Sequence, residues 1–411
     1  MDTFDLIGLL VTLTALFAYI NYRYVRLPPV IGLMLVSLAV SLLIIGLGKL
    51  GFGGIDHWAR SVLEHVDFSA ALLHGMLGFL LFAGALHVHL DDLAKQRGAI
   101  AVLASFGVLA STFIVAGLGW LATRMLGIDM SFAYCLVFGA LISPTDPIAV
   151  LGILKQAGVP PSLEAKIAGE SLFNDGVAVV LFIIFLDIAV NGSEPSVTDV
   201  GTLFLEEGVG GVVFGLLCGG VAYWMLKRVD NYQVEILITL ALVSGSYAIS
   251  DWLHVSGPIA VVVAGIFIGN RGRLLAMSEH TRRHIDTFWM LVDELLNAVL
   301  FVLIGMEVLV LHFPHEYVLA SLLAIPAVLF ARLVSVGLPI GLMRLRRSFS
   351  PGVVKVMTWG GLRGGISVAL ALSLPHGPER NLILAVTYVV VVFSIVVQGL
   401  TVGKLVRRHN G

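Results

Sequence analysis

The chain has 411 residues, of which 58% are hydrophobic and 13% charged, and its mean hydropathy is +0.97. An ordinary soluble globular chain carries about 25% charge, so lipid rather than water is the solvent for most of this one. A net charge of −2 gives no sign of a nucleic-acid or other polyanionic partner, and no long polar stretch suits disorder.

Runs of about 20 apolar residues predict thirteen membrane-crossing helices, at 4–22, 29–48, 68–88, 98–122, 131–154, 166–190, 199–226, 232–250, 257–270, 289–311, 316–341, 351–374 and 381–403. The expected fold is therefore all-α and polytopic. The first run carries Asp2 and Asp5, has no basic start and shows no small-residue cleavage site, so it is expected to be a span and not a cleaved signal. The 45 glycines suit close helix packing and interrupted helices. Cys135 and Cys218 both lie inside apolar runs and are expected to be packing residues. Segment 271–288, with apolar residues spaced between basic ones, reads either as an amphipathic surface helix or as a connecting loop. The last residues, KLVRRHNG, are too short for a regulatory domain and suit topology and headgroup contact.

The basic residues support the count. With thirteen crossings, one set of alternate loops holds 18 of the 25 Lys and Arg residues, from Arg23 and Arg26 to Lys404, Arg407 and Arg408. The opposite set holds only Lys49, Arg60, Arg124 and Arg380. Basic loops stay in the cytoplasm, so the C-terminus is expected inside the cell membrane and the N-terminus outside.

The informative residues are those a membrane should have excluded, because an ionisable side chain at mid-bilayer costs several kcal/mol and needs a partner or a task. The fifth span reads FGALISPTDPIAVLGIL, with Asp146 between Pro144 and Pro147. Two prolines three apart remove backbone donors and clash with preceding carbonyls. A break here, with a carboxylate beside it, is one way to build an ion site; a simple kink capped by Asp146 is the alternative. The sixth span reads EAKIAGESLFNDGVAVVLFIIF. Ser171 and Asp175 are four apart on one face, and Glu170 and Asn174 share the neighbouring face. Oxygen groups of this kind suit hard cations. The twelfth span, VMTWGGLRGGISVALAL, sets four glycines around Arg363 and is expected to be interrupted too. Two interrupted helices in corresponding halves hint at inverted repeats with a site at the midplane. Arg363 could neutralise Asp146 or the carbonyl ends of the broken helices. Arg332 adds a second base near the middle of the eleventh span. With Glu170 and Asp146 matched by these two bases, Asp175 is left as the unpaired acid, the natural site for a proton or a cation.

SPTDP, ESLFNDG and WGGLRGG, in this order, resemble the monovalent cation/proton antiporter family of the sodium–proton exchanger type. VEILITLAL, SGPIAVVVAGIFIGN and LNAVLFVLIGM extend the resemblance over nearly the whole chain. The resemblance implies a core domain of two parts, 98–190 and 316–411, the latter ending in a short cytoplasmic tail. This core would move against a dimerisation domain formed by 1–97 and 232–311, with 199–226 as the linker helix. It implies that the broken fifth and twelfth helices cross in the core and that the chain is a homodimer. Carried over by motif, Asp175 binds the cation or the proton, Ser171 and Thr145 are helper ligands, and Asn174 orients and gates the site. Asp146 and Arg363 would stabilise the crossing, and Glu170 and Arg332 would form a structural ion pair.

The pair Asn174-Asp175, in place of two aspartates, resembles the electroneutral branch. The expected activity is exchange of sodium (or lithium) for a proton by alternating access, with no cofactor and no enzymatic chemistry. Potassium–proton exchange is the runner-up. A channel or sensor finds no filter motif, and a membrane hydrolase finds no mid-membrane serine beside a histidine or lysine. One departure stands out: Ala83, in GFLLFAGALHV, occupies a place where several relatives carry an acid. His74 on the same span is either a pH sensor or a packed histidine. Asp187, Glu206, Glu207, Glu235, Asp293, Glu294 and Glu307 fall near predicted helix ends and are expected at the interface.

Overall fold

The structure, a computed structural model, describes residues 3–50, 68–88, 90–146, 161–192, 205–311, 313–345 and 352–410, with isolated positions at 54, 61, 154, 159, 202 and 349. Among the described residues there are helices and no strands. Nine of these helices are long and apolar enough to cross a membrane, and Ala71–Leu86, Phe132–Ile142 and Gly257–Gly272 are shorter apolar helices.

In chain order, α1 (Thr3–Ile20) runs on through a π-helical turn, and α2 (Pro29–Lys49) follows, with Pro29 in its first turn. α3 (Leu77–Leu86) is preceded by the π-turn Ala71–Met76. α4 (Leu90–Val102) and α5 (Val108–Met125) form one rod joined by a π-turn. α6 (Phe132–Ile142) is short, and α7 (Pro161–Asn191) is a full span. Then come α8 (Gly210–Leu226), α9 (Tyr232–Leu253) and α10 (Gly257–Phe267). The two long helices α11 (Glu279–Glu307) and α12 (His315–Met343) lead to two half-helices, α13 (Val353–Trp359) and α14 (Gly365–Leu372). α15 (Pro378–Phe393) and α16 (Gly399–Asn410) close the chain as one rod around a π-turn.

Local chemistry sets several of these starts. Ser131 accepts the amide of Tyr134, Asn231 those of Gln233 and Val234, Ser256 that of Ile259 and Ser278 that of Thr281. Each side-chain oxygen satisfies an amide that has no partner within its helix.

Every predicted span has a helical counterpart, but one boundary needs correction. The tenth span does not begin at 289: α11 starts ten residues earlier, at Glu279. Residues 279–288 are thus helix and not a connecting loop. They are the first turns of a 29-residue helix whose charged end lowers the local hydropathy. Two expectations change with it. Asp293 and Glu294 are at mid-helix and not at an end, and half-buried Asp293 accepts the Asn297 side-chain amide at 3.0 Å. Glu235 sits in the first turn of α9 and Glu307 ends α11, both at helix ends as expected, and both side chains are buried against protein. The last residues are helical through Asn410. Pro147, the rest of the fifth span up to 153, and the side chain of His74 lie outside the described residues.

Lipid tails offer no hydrophobic force between helices, so close approach of backbones does much of the packing. A Cβ on Gly215 of α8 would meet the Ala260 Cα of α10 at 2.9 Å. One on Gly305 of α11 would meet the Met34 carbonyl of α2 at 2.8 Å. α5, α6, α7, α12 and α15 pack as neighbours, while α8, α9, α10 and α3 form another group that α11 joins to α2. Between them, α7 touches α10 and α3, and α14 touches α11. The polar side chains gather at that boundary.

Candidate functional site

The site begins with two interrupted helices. α6 stops at Ile142, because Pro144 cannot continue it, and residues 143–146 are non-helical. Ser143, at the end of α6, donates its hydroxyl to the Gly139 carbonyl at 2.6 Å, and its Oγ lies in hydrogen-bond contact with Ser111 Oγ at 2.9 Å. The second interruption separates α13 from α14 at Gly360–Gly364. The two meet directly: the Asp146 amide donates to the Leu362 carbonyl at 2.8 Å. A Cβ on Gly364 would meet the Asp146 side chain, with its Cγ at 2.8 Å, so only a glycine lets the two interrupted segments lie this close.

Arg363 lies in the crossing, 2% exposed. Its Nη1 donates to the Ser143 and Pro144 carbonyls, the latter at 2.8 Å, and its amide donates to Ser394 Oγ at 3.0 Å. Of the two tasks open to it from the sequence, the guanidinium takes the carbonyl ends of the broken helix. Those carbonyls carry the negative end of the α6 dipole and have no water to accept from.

The second ionic feature is a pair. Arg332 on α12 donates both terminal nitrogens to Glu170 on α7, Nη1 to Oε1 at 2.5 Å and Nη2 to Oε2 at 3.1 Å. Its Nε reaches the Met357 carbonyl at 3.3 Å, tying α13 to the same cluster. Both partners are buried, and the two-pronged geometry is the one that best repays the desolvation of two charges.

One turn along α7 lies the third cluster. Asn174 Nδ2 donates to Thr145 Oγ1 at 2.9 Å, and Thr145 and Ser171 hydroxyls bond at 3.0 Å. This chain of bonds links α7 to the interruption after α6. Asn174 Oδ1 is buried and has no hydrogen-bond partner among the described residues. Asp175 is 5% exposed and forms no hydrogen bond or ion pair with a described residue. It lines a cavity of about 60 Å³ between the two helix groups, room for a cation and a few waters. Pro144, Asp146, Asn297 and Gly364–Ser367 line the same cavity. From α3 only apolar residues and Gly84 reach it. Among the described residues, no three His, Cys, Asp or Glu converge as a metal cluster.

All eight residues singled out from the sequence thus fall in one region. Asp146 and Arg363 are at the crossing, Glu170 and Arg332 form a buried pair behind it, and Thr145, Ser171, Asn174 and Asp175 stand beside it. Asn297 was missed. It is buried, donates Nδ2 to Asp293, and its Oδ1 has no partner among the described residues. The only signal was its place in LNAVLFVLIGM, an otherwise apolar run.

Residues 12–408 match the family model described as sodium/hydrogen exchanger, transmembrane. The chain belongs to the sodium/hydrogen exchanger family. It is 51% identical over 408 residues to the Na(+)/H(+) antiporter NhaP of Pseudomonas aeruginosa, covering 98% of this chain and 96% of that one. It is 35% identical over 391 residues to the Na(+)/H(+) antiporter NhaH of Halobacillus dabanensis, covering 94% and 93%. The solved structure of the sodium proton antiporter MjNhaP1 from Methanocaldococcus jannaschii at pH 8 has the same fold, with a TM-score of 0.79 at 20% identity over the full length of both chains. As a member of the sodium/hydrogen exchanger family, the chain is a multi-pass membrane transporter and not an enzyme. The motifs that carried the resemblance in sequence are the same segments that build the crossing and the Asp175 cavity.

Proposed function

We propose that this chain exchanges one sodium ion for one proton by competition at Asp175. The observation that carries this reading is a carboxylate buried in a small cavity without an ion-pair partner among the described residues. A lone charge in such a place is costly. The site is stable when a proton or a cation neutralises it, and only the neutralised form moves across the low-dielectric barrier. Ser171 and Thr145, bonded to each other and not among the residues that line the cavity, would turn their hydroxyl oxygens to the dehydrated sodium. The bond from Asn174 holds Thr145 in place, and the unpartnered Asn174 Oδ1 leaves an oxygen for the cation or its water. Glu170 and Arg332 serve as a structural brace, while Arg363 and Asp146 hold the crossing together.

In this reading the two packed groups of helices are the moving core and the dimerisation domain, with 199–226 linking them, and the chain works as a homodimer. The cavity between the groups supports alternating access, because sliding one group past the other would open Asp175 to either side. The distribution of basic residues supports a cytoplasmic C-terminus and an external N-terminus in the cell membrane.

One carboxylate that carries one proton or one monovalent cation has the same net charge in both loaded states. Exchange will therefore be electrically silent. In proteoliposomes clamped at zero or at large potential with potassium and valinomycin, sodium-driven pH change will have the same rate and end-point. A second carrier carboxylate would instead couple each cycle to about 2.3 kcal/mol per 100 mV. A strong dependence on potential overturns the one-for-one reading and makes Asp146 the first suspect. The same assay with lithium, sodium and potassium separates sodium exchange from potassium exchange. Competition also means that acidification raises the apparent sodium KM.

Asn297 supplies the polar group from the opposite wall that α3 does not. Replacing it with alanine will raise the sodium KM about tenfold, the equivalent of one lost ligand, with a smaller change in maximal rate. An unchanged KM in a folded Asn297→Ala protein removes Asn297 from the site.

A further inference from the structure

A groove of about 510 Å³ opens between α12, α13 and α16, far from the Asp175 cavity in composition and in lining. Leu333, Trp359 and Leu405 contribute apolar surface, and Lys355, Lys404 and Arg408 contribute three cations. Leu333 is 47% exposed, on a helix long and apolar enough to cross a membrane.

The three cations are the anomaly. Lys404 and Arg408 are four apart on α16, so they share one face, where like charges repel. Lys355 reaches the same groove from α13. Among the described residues none of the three forms an ion pair, and no acidic residue lines the groove. The preference for basic loops explains cations on this side of the membrane. It does not explain why three from two helices converge on one groove with no acidic residue in its lining to meet them.

An anion completes this arrangement, and the apolar surface says which kind. A free phosphate or a nucleotide would not cover the apolar surface that Leu333 and Trp359 bring to the groove, whereas a phospholipid brings an anionic head and an acyl chain together. We propose that the groove between α12, α13 and α16 binds an anionic phospholipid of the leaflet on the C-terminal side, with its phosphate held by Lys355, Lys404 and Arg408. The first acyl carbons lie along Leu333, Trp359 and Leu405.

The site has a mechanical meaning. Trp359 ends α13, donates Nε1 to Thr401 Oγ1 at 2.8 Å and accepts the Gln398 amide on its carbonyl at 2.9 Å. Four residues later comes Arg363 in the helix crossing. A lipid that spans α13 and α16 therefore clamps the half-helix from which the crossing hangs, and is expected to stabilise the folded chain.

The test needs no transport measurement, so it stands apart from the exchange reading. The full chain in detergent is titrated with dioleoylphosphatidylglycerol, dioleoylphosphatidylcholine, glycerophosphoglycerol without acyl chains, and inorganic phosphate, with the melting temperature and native mass spectra as readouts. Phosphatidylglycerol will raise the melting temperature and remain bound in the spectra, and the other three will not. Lys355→Ala/Lys404→Ala/Arg408→Ala will weaken the phosphatidylglycerol half-saturation about 10- to 100-fold, since each cation near a lipid headgroup contributes a factor of several. Lys227→Ala/Arg228→Ala, which removes two cations from another loop on the same side, will leave it unchanged. Should the triple variant fold poorly, Lys404→Gln/Arg408→Gln provides the same comparison. An unchanged half-saturation in these variants overturns the proposal, as does equal loss in the Lys227/Arg228 control. A matching shift from inorganic phosphate overturns the lipid and leaves a free-anion site.

Discussion

Asp175→Asn will reduce sodium-driven proton movement in proteoliposomes to the level of empty vesicles, while the protein still folds and inserts. Asparagine keeps the shape of aspartate but holds neither an exchangeable proton nor a negative charge for a cation. No hydrogen bond or ion pair to a described residue is lost, because Asp175 makes none. Removal of a buried unpaired charge is neutral or favourable for folding, so the melting temperature of the variant should equal or exceed that of the parent. That combination separates a site residue from a structural one. Retained exchange in Asp175→Asn would refute competition at this carboxylate and move the ion site to another acid.

Glu170→Ala and Arg332→Ala will have the opposite signature. Each leaves its partner as an uncompensated charge among buried groups, which costs about 3–5 kcal/mol. The result will be low yield and a strongly lowered melting temperature. Arg332 also holds the Met357 carbonyl, and a Cβ on Gly361 would meet its Nε at 2.6 Å. Loss of Arg332 also leaves the Met357 carbonyl without this donor, so Arg332→Ala should be the worse of the two. The double variant will lose less than the sum of the single losses, because removal of both partners leaves no orphan charge. Sodium KM in whatever protein survives will change less than stability does. A single variant as stable as the parent, but without sodium affinity, would make Glu170 a ligand and not a brace.

Much of this arrangement was legible in the residues. Hydropathy located the helices, since the span of a bilayer sets a length that composition alone reveals. Prolines around Asp146 and glycines around Arg363 marked both interruptions, because those residue types fail as helix interior wherever they stand. Four-residue spacing suggested Ser171 with Asp175 and Glu170 with Asn174, whereas in the structure Ser171 and Asn174 meet at Thr145, Glu170 pairs with Arg332, and Asp175 faces the cavity. The start of α11 was misplaced for a related reason. Its first turns, EHTRRHIDTF, form helix through capping and local bonds yet look like a loop to a hydropathy window.

What the sequence determined by itself is therefore local: a membrane solvent, helices, two breaks, and a list of polar residues that must have partners. Which partner each one takes was decided only by the tertiary structure. Arg332 to Glu170 spans 162 residues and Arg363 to the Pro144 carbonyl spans 219. With two bases and several buried acceptors, periodicity cannot say that one arginine neutralises a carboxylate while the other caps carbonyls. The same holds for Asn297, which reaches the Asp175 cavity only because α11 packs against α14 and α3. Side-chain spacing along one helix is a property of the backbone, but the pairing of charges across helices is a property of how the helices are stacked.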